Sequence, residues 1–357
     1  MATRSSEHNL VSVVIPARNE KHFIARCLES VLSQDYANLQ VIVVDGGSTD
    51  ATGDIAARFA AGDSRIEVHR VTEGGIPTSL NVGLRAARGT WLVRVDAHST
   101  IPSYYVRHAV EHLESGLWGG VGGRKDGVAI TRAGRAIAAA MSSPFGVGGS
   151  LYHYGKKPQE VDHIPFGAYP TALIRELGGW DERLQTANED FEFDYRIRQR
   201  GHRLLFDPEL RIAWYCRQSV LDLFHQYRRY GHGKATVARL HPRSVKPRHL
   251  LPPGLVLLLA GTGLLALRKP RLATLVVLPY VSGVLIATAS TSRLIDSRSE
   301  VAYLPAVFSA MHVGYGLGFW EGLAEIASNT FRRTTTVDNR HPASPTGDSL
   351  VRSSSRK

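Results

Sequence analysis

Residues 41–52 read VIVVDGGSTDAT, and the fold turns on how this stretch is read. Val41-Ile42-Val43-Val44 is β-branched throughout and shows no polar alternation, which predicts a strand buried on both faces, as in a parallel sheet. Asp45 ends the run, and Ser48-Thr49-Asp50 supplies the side-chain oxygens that start a helix. The same unit recurs on either side. Upstream are VSVVI (11–15) and a helix with Ile24, Leu28, Val31 and Leu32 on one face. Downstream are IEVHR (66–70), a helix over roughly 77–87, and TWLVRVD (90–96). Strands alternating with amphipathic helices predict an α/β domain whose parallel sheet is covered on both faces. Ligands of such a sheet bind beyond the carboxyl ends of its strands.

Three of those ends are rich in chemistry: Pro16-Ala17-Arg18-Asn19-Glu20, Asp45-Gly46-Gly47-Ser48-Thr49-Asp50, and Asp96-Ala97-His98. Any one alone is explained by a capped turn. Three on one sheet edge, each beside a helix N-terminus, suit an anionic nucleotide: backbone N–H groups attract phosphate, and carboxylates grip base and ribose. GGSTDATG lacks the GxGxxG spacing of a dinucleotide oxidoreductase. No Gly-rich loop follows the first strand, which weighs against a sugar-nucleotide pyrophosphorylase.

The 357 residues suffice for one large catalytic domain and an appendage, and the net charge of +11 is local. Residues 217–249 hold eight Lys/Arg against one acid and residues 331–357 six against two, so +7 and +4 account for all of it. Basic segments beside apolar ones fit an anionic lipid surface better than nucleic acid, and no recognition-helix or zinc-finger pattern occurs. Cys27 and Cys216 form no CxxC or metal pattern, which suits a reducing compartment. The N-terminus shows no signal-peptide pattern, so the catalytic domain is expected in the cytoplasm.

Three apolar stretches, Leu250 to Leu267, Leu272 to Ala289 and Val301 to Trp320, are each long enough to span hydrocarbon. The expected plan is a flexible N-terminus (1–9), a catalytic domain (10–216), a basic interfacial segment (217–249), a membrane region of two or three helices (250–320) and a disordered basic tail (331–357). Positive-inside bias favours a first stretch that only dips into the membrane, broken near Pro252-Pro253-Gly254. Arg268-Lys269-Pro270-Arg271 would then stay inside while the second and third stretches span. The Gly-rich residues 116–150 read as a mobile or surface-lying segment. NEDFEFDYRIRQRG (188–201) reads as a helix with Phe191, Tyr195 and Ile197 inward and Gly201 as its cap.

Taken with GGWDE (178–182), SLNVGLRAARG (79–89) and VDAH (95–98), these motifs resemble the family 2 glycosyltransferases in order and spacing over roughly residues 10–230. FGVGGS, PFGAYP, QYRRYGHGK and the apolar C-terminal third make the chain most similar to the membrane-associated exopolysaccharide enzymes of the succinoglycan ExoA type. The resemblance implies a GT-A fold and transfer of a sugar, with inversion, from a nucleotide-diphosphate donor, UDP-linked, to a polyprenyl-linked acceptor. It also implies a bacterial inner membrane location with the catalytic domain on the cytoplasmic face.

Residue by residue, Pro16, Ala17, Glu20 and Asp45 match the family positions around uracil and ribose, and Asp96 matches the aspartate that reaches the diphosphate-bound metal. The family's second acid is here His98. A divalent cation, Mn²⁺ or Mg²⁺, is thus implied, and an imidazole ligand leans toward Mn²⁺. Asp190 matches the family's base, with Glu189 in reserve; both acids also suit a helix N-terminus for purely structural reasons. Gln226-Tyr227-Arg228-Arg229-Tyr230 loosely resembles a QxxRW element, in which Arg228 or Arg229 would pair with the leaving diphosphate. Equally, residues 219–240 read as an in-plane helix with Leu221, Phe224 and Tyr227 in lipid. The alternatives are a processive polysaccharide synthase and a non-catalytic membrane scaffold. The second is disfavoured by the joint presence of Asp45, Asp96 and Asp190.

Overall fold

The computed structural model describes residues 9–185 and 187–338. The strands are β1 (Val11–Ala17), β2 (Leu39–Asp45), β3 (Ile66–Arg70), β4 (Trp91–Arg94), β5 (Ser99–Thr100), β6 (Gly120–Val128), β7 (Gln159–Val161), β8 (Ala168–Pro170) and β9 (Leu204–Tyr215). They form one sheet in the order β3-β2-β1-β4-β8-β6-β9-β5, with β7 also on β9. β3, β2, β1 and β4 are parallel, as their unbroken apolar runs predict, and every residue of β2 is buried. Beyond β4 the sheet departs from the expected parallel plan. β8 is antiparallel to both β4 and β6, while β9 runs parallel to β6.

Helices α1 (Ile24–Leu32), α2 (Thr52–Gly62), α3 (Ile76–Ala86) and α4 (Tyr105–Glu114) cover this sheet. Ile24, Cys27, Leu28 and Val31 of α1 pack into one core with Val13, Val41 and Val43, and Leu80 and Leu84 of α3 into another with Val14, Ile42 and Leu92. Part of the Gly-rich segment is central to the fold. It forms β6 and then α5 (Arg132–Met141), which buries Ala136, Ile137 and Ala140. A Cβ at Gly122 would strike Ile164, and one at Gly123 the carbonyl of Leu210. Those glycines let neighbouring chain approach a central strand, and periodicity does not show that.

After the short α6 (Pro144–Val147) and α7 (Thr171–Glu176) comes α8 (Glu189–Gln199), with Phe191, Phe193, Tyr195 and Ile197 buried and Gly201 in the left-handed region at φ 84°. The chain then runs through α9 (Val220–Leu240), α10 (Pro247–Ala266), α11 (Pro270–Thr291), α12 (Arg298–Val301) and α13 (Leu304–Asp338). α10 and α11 are long and apolar enough to cross a membrane, and only 11% and 17% of their most apolar windows are buried, which fits membrane association and not a core.

The third apolar stretch behaves otherwise. Leu304, Val307 and Phe308 are fully buried in the main core, so the start of this stretch packs against protein. A row of glycines explains its fit against α9. Cβ atoms at Gly314, Gly318 and Gly322 would meet the carbonyls of Phe224, Arg228 and His232, each one turn further along α9. Polar contacts flank the seam, an ion pair from Arg228 Nε to Glu321 at 2.7 Å and a hydrogen bond between His232 Nε2 and Glu325 at 2.8 Å. Tyr227 is 9% exposed, so of the side chains expected in lipid from α9 only Leu221 is truly open. The expected disordered tail begins inside α13, which continues to Asp338; residues 1–8 and 339–357 lie outside the described residues.

Candidate active site

The ends of β1 and β2 are laced together by their loops. Asn19 N–H donates to Ser48 Oγ at 2.9 Å and Thr49 N–H to Asn19 Oδ1 at 2.9 Å, while Glu20 N–H donates to Thr52 Oγ1 at 2.7 Å. Ala17 C=O accepts from Gly46 N–H, and buried Asp45 accepts from Ser48 N–H, both at 2.8 Å. Among non-glycine residues, positive φ occurs at Asn19 (57°), Phe166 (46°) and Asn188 (69°). All three sit at this end of the molecule or on the cavity described next. Such backbone costs about 1–3 kcal/mol per residue, and functional sites are where it accumulates.

A cavity of about 1300 Å³ opens beside these loops, and its walls include Asp96, His98, Lys125, His163, Glu189 and Asp190. Arg94 ties the strand-end acid to the helix-start acid: Nε lies 2.8 Å from Asp96 Oδ1 and Nη2 lies 3.0 Å from Glu189 Oε1. Burial opposes the guanidinium charge, but Asp96, Glu189 and Asp190 outweigh it and push its pKa up. Its Nη1 is buried without a partner, and the residue lines the same cavity. Two acids far apart in sequence thus share one buried cation.

Glu189 and Asp190 differ. Burial, with Asp190 adjacent, raises the Glu189 pKa in spite of Arg94. Asp190 is also penalised by burial, but His163, Arg94 and the Phe191 N–H more than compensate, so its carboxylate titrates below the ordinary range. His163 stands between two acids, with Nδ1 2.7 Å from Asp194 Oδ2 and Nε2 3.7 Å from Asp190 Oδ2. Burial lowers its pKa, and Asp190 and Asp194 together raise it further than that. Fully buried Asp194 is fixed in turn by Tyr169 Oη at 3.0 Å and Ile164 N–H at 2.9 Å. Lys125 lies 3.8 Å from the Trp214 ring centre, and burial brings its pKa down to about 8 against the pull of Asp96 and Asp190.

The donor set at the β4 end fits a divalent cation as a partial cradle. His98 Nδ1 is 3.0 Å from Glu20 Oε1, which holds the tautomer whose Nε2 lone pair is free. Asp96 offers an anionic oxygen two residues away, although Arg94 engages the same carboxylate. No cluster of three or more metal-ligating side chains occurs among the described residues, so phosphate oxygens and water would have to complete the shell.

The family model described as Glycosyl transferase family 2 matches residues 12–176, which contain β1 from its second residue, β2 through β4, the loops at their ends and Asp96 and His98. The chain is a glycosyltransferase with a family 2 domain. Succinoglycan biosynthesis protein ExoA of Rhizobium meliloti (strain 1021) is 29% identical over 326 residues, covering 88% of this chain and 94% of the relative. A second relative is the dolichyl N-acetyl-alpha-D-glucosaminyl phosphate 3-beta-D-2,3-diacetamido-2,3-dideoxy-beta-D-glucuronosyltransferase of Methanococcus voltae. It is 26% identical over 338 residues, covering 91% of this chain and 100% of that one. Among solved structures, the mannosyltransferase PcManGT from Pyrobaculum calidifontis, in complex with GDP-Man and Mn²⁺, superposes with a TM-score of 0.56. It is 20% identical and covers 89% of this chain and 88% of its own, which places the glycosyltransferase in the GT-A fold.

Within this glycosyltransferase, the residues read from sequence divide into three groups. Asp96, His98, Glu189, Asp190 and Arg229 share the cavity wall. Pro16, Ala17 and Asp45 stand at the ends of β1 and β2 and are not among the residues that line it, and Glu20 joins through His98. Arg228 is the exception: its guanidinium is committed to Glu321 on α13, so Arg229 is the member of the pair that faces the cavity. Arg94, Lys125, His163, Asp194 and Arg217 belong to the site or its support and were not read from sequence. Arg94 had a detectable signal, as a cation inside an apolar strand that needs a buried partner.

Proposed function

We propose that this glycosyltransferase moves one sugar, with inversion and with a divalent cation, from a nucleotide-diphosphate donor to a polyprenyl-linked acceptor at the cytoplasmic face of the membrane. The observation that carries this reading is the convergence of Asp96, Glu189 and Asp190 around Arg94 on one cavity. Asp45, Ala17 and Pro16 hold the donor's nucleoside, UDP being the donor proposed. Lys125, Arg217 and Arg229 face its diphosphate. A divalent cation bound by Asp96 and His98 would supply Lewis-acid neutralisation of the departing diphosphate.

Asp190, held ionised by His163 and Arg94, takes the proton from the acceptor hydroxyl. The hydroxyl oxygen attacks the anomeric carbon from the face opposite the diphosphate, the carbon–oxygen bond to the donor breaks, and the nucleoside diphosphate leaves with the bonding pair. Glu189 holds Arg94 in place beneath this centre. The membrane part of the reading rests on α10 and α11, and the acceptor class on the lipid-linked substrate named for the Methanococcus voltae relative. Confinement of such an acceptor to a surface raises its concentration near an anchored enzyme.

The test is to incubate membranes holding the protein with labelled UDP- and GDP-sugars and lipid extract, with and without Mn²⁺. Label from one UDP-sugar should pass into organic solvent only with the ion. Label remaining aqueous for every donor would overturn the reading.

A further inference from the structure

We infer that the cavity has a second arm that binds the phosphate of the acceptor lipid through Lys234 and Arg248 and its hydrocarbon chain along α10, α11 and α13. This rests on the transferase reading above and assigns its acceptor side to particular residues.

The first observation is Lys234. It projects from α9 into the cavity, is only 4% exposed, and has neither a hydrogen-bond acceptor nor a carboxylate partner among the described residues. The Phe191 ring lies against it, with the centroid 3.1 Å from Nζ. Lysine is seldom buried unpaired, because desolvation of an ammonium is unfavourable unless an anion restores what water gave up. Burial brings its pKa down to about 7, with Asp190 opposing the fall, so the site holds an incompletely compensated cation beside the proposed base.

The charge around Lys234 points the same way. Arg248, at the start of α10, lines the same arm. Its nearest acid, Asp162, stands 3.8 Å away and is already engaged by Lys246 and by Arg198 at 3.3 Å. Arg198 Nε is itself buried with no partner. One carboxylate therefore serves three cations while Lys234 has none, and a phosphate mono- or diester balances that excess.

The cavity wall also carries apolar side chains, Leu251, Pro252 and Leu255 of α10, Tyr280 of α11 and Met311 and Tyr315 of α13, interrupted by His249 and His312, and α10 and α11 are the two helices suited to a membrane. Cations that stand between the base and an apolar wall match the order sugar hydroxyl, phosphate and hydrocarbon in a lipid-linked acceptor. A soluble sugar acceptor would use neither the cations nor the apolar wall.

The experiment uses the full chain in nanodiscs and three probes: farnesyl phosphate, farnesol and inorganic phosphate, with binding followed by tryptophan fluorescence. Farnesyl phosphate should bind the wild type at least tenfold more tightly than either other probe. Lys234→Met, which retains the packing, and Arg248→Ala should each weaken it tenfold or more, and Lys234→Arg should restore most of the loss. Equal binding of farnesol, or wild-type affinity in Lys234→Met, overturns the site; equal binding of inorganic phosphate shows a free-anion site and overturns it too. Nucleotide-sugar turnover by the wild type is measured in parallel. Farnesyl phosphate binding without turnover would refute the transferase reading and leave this site standing, and turnover without that binding would do the reverse.

Discussion

Replacement of Arg94 by methionine removes the buried cation shared by Asp96 and Glu189 while keeping an unbranched side chain in its place. Arg94 and Glu189 side chains are each 5% exposed and Asp96 is 14% exposed, so water cannot take over the missing charge. Loss of one partner of such a buried pair is expected to cost about 3–5 kcal/mol. The cost should depend on pH with a definite sign. Burial already raises the Glu189 pKa, and without Arg94 it rises further. A folded-state acid with a raised pKa holds protons that the unfolded chain releases, so stability falls as pH rises above the unfolded Glu range near ~4.3. The deficit of Arg94→Met should therefore be small in acid and grow toward neutral and alkaline pH. Adding Glu189→Gln removes the stranded charge and should return about 1–3 kcal/mol. Urea unfolding of the detergent-solubilised protein across this pH range measures Arg94→Met, Glu189→Gln and the double variant. A deficit independent of pH, or a double variant whose loss equals the sum of the singles, would refute the shared-cation argument.

Other expectations concern the cation, the proton and the membrane-side seam. Glu20→Gln loses the carboxylate that orients His98 and should weaken Mn²⁺ binding about 10–100-fold, read from the electron paramagnetic resonance of bound ion. If Mn²⁺ and Mg²⁺ support activity equally, His98 is not a ligand. In His163→Gln the cation that favours ionised Asp190 is gone, so the acid limb of the kcat/KM profile should move to higher pH; an unmoved limb would dissociate His163 from the base. Gly318→Val drives a side chain onto the Arg228 carbonyl and should lower stability by about 1–3 kcal/mol, whereas a neutral effect would mean that α9 and α13 adjust freely.

How much of this was legible in the sequence depends on how far each contact reaches along the chain. β1 through β4 show themselves locally, because unbroken β-branched runs mark buried parallel strands, and their carboxyl ends carried Ala17, Asp45 and Asp96 into view. β6 did not, since glycines that admit Ile164 and the Leu210 carbonyl look like a loop when only neighbours in sequence are considered. The same holds for α13: its apolar content suggested lipid, and only the Gly314, Gly318 and Gly322 row betrays a helix pressed against another. His163 and Asp194 escaped because the His163 segment has no motif and Asp194 reads as one more polar helix residue. Their meaning arises from a 2.7 Å contact across 31 positions of sequence.

The most direct measurement is transfer by Asp190→Asn, which keeps the side chain's size and removes its basicity. Sugar transfer should fall by about 10²–10⁴. The dissociation constant for the nucleotide-sugar donor should stay within about twofold of wild type, because the lost interaction belongs to the transition state. Substantial remaining turnover would contradict the account and move the proton acceptor to Glu189 or to another group.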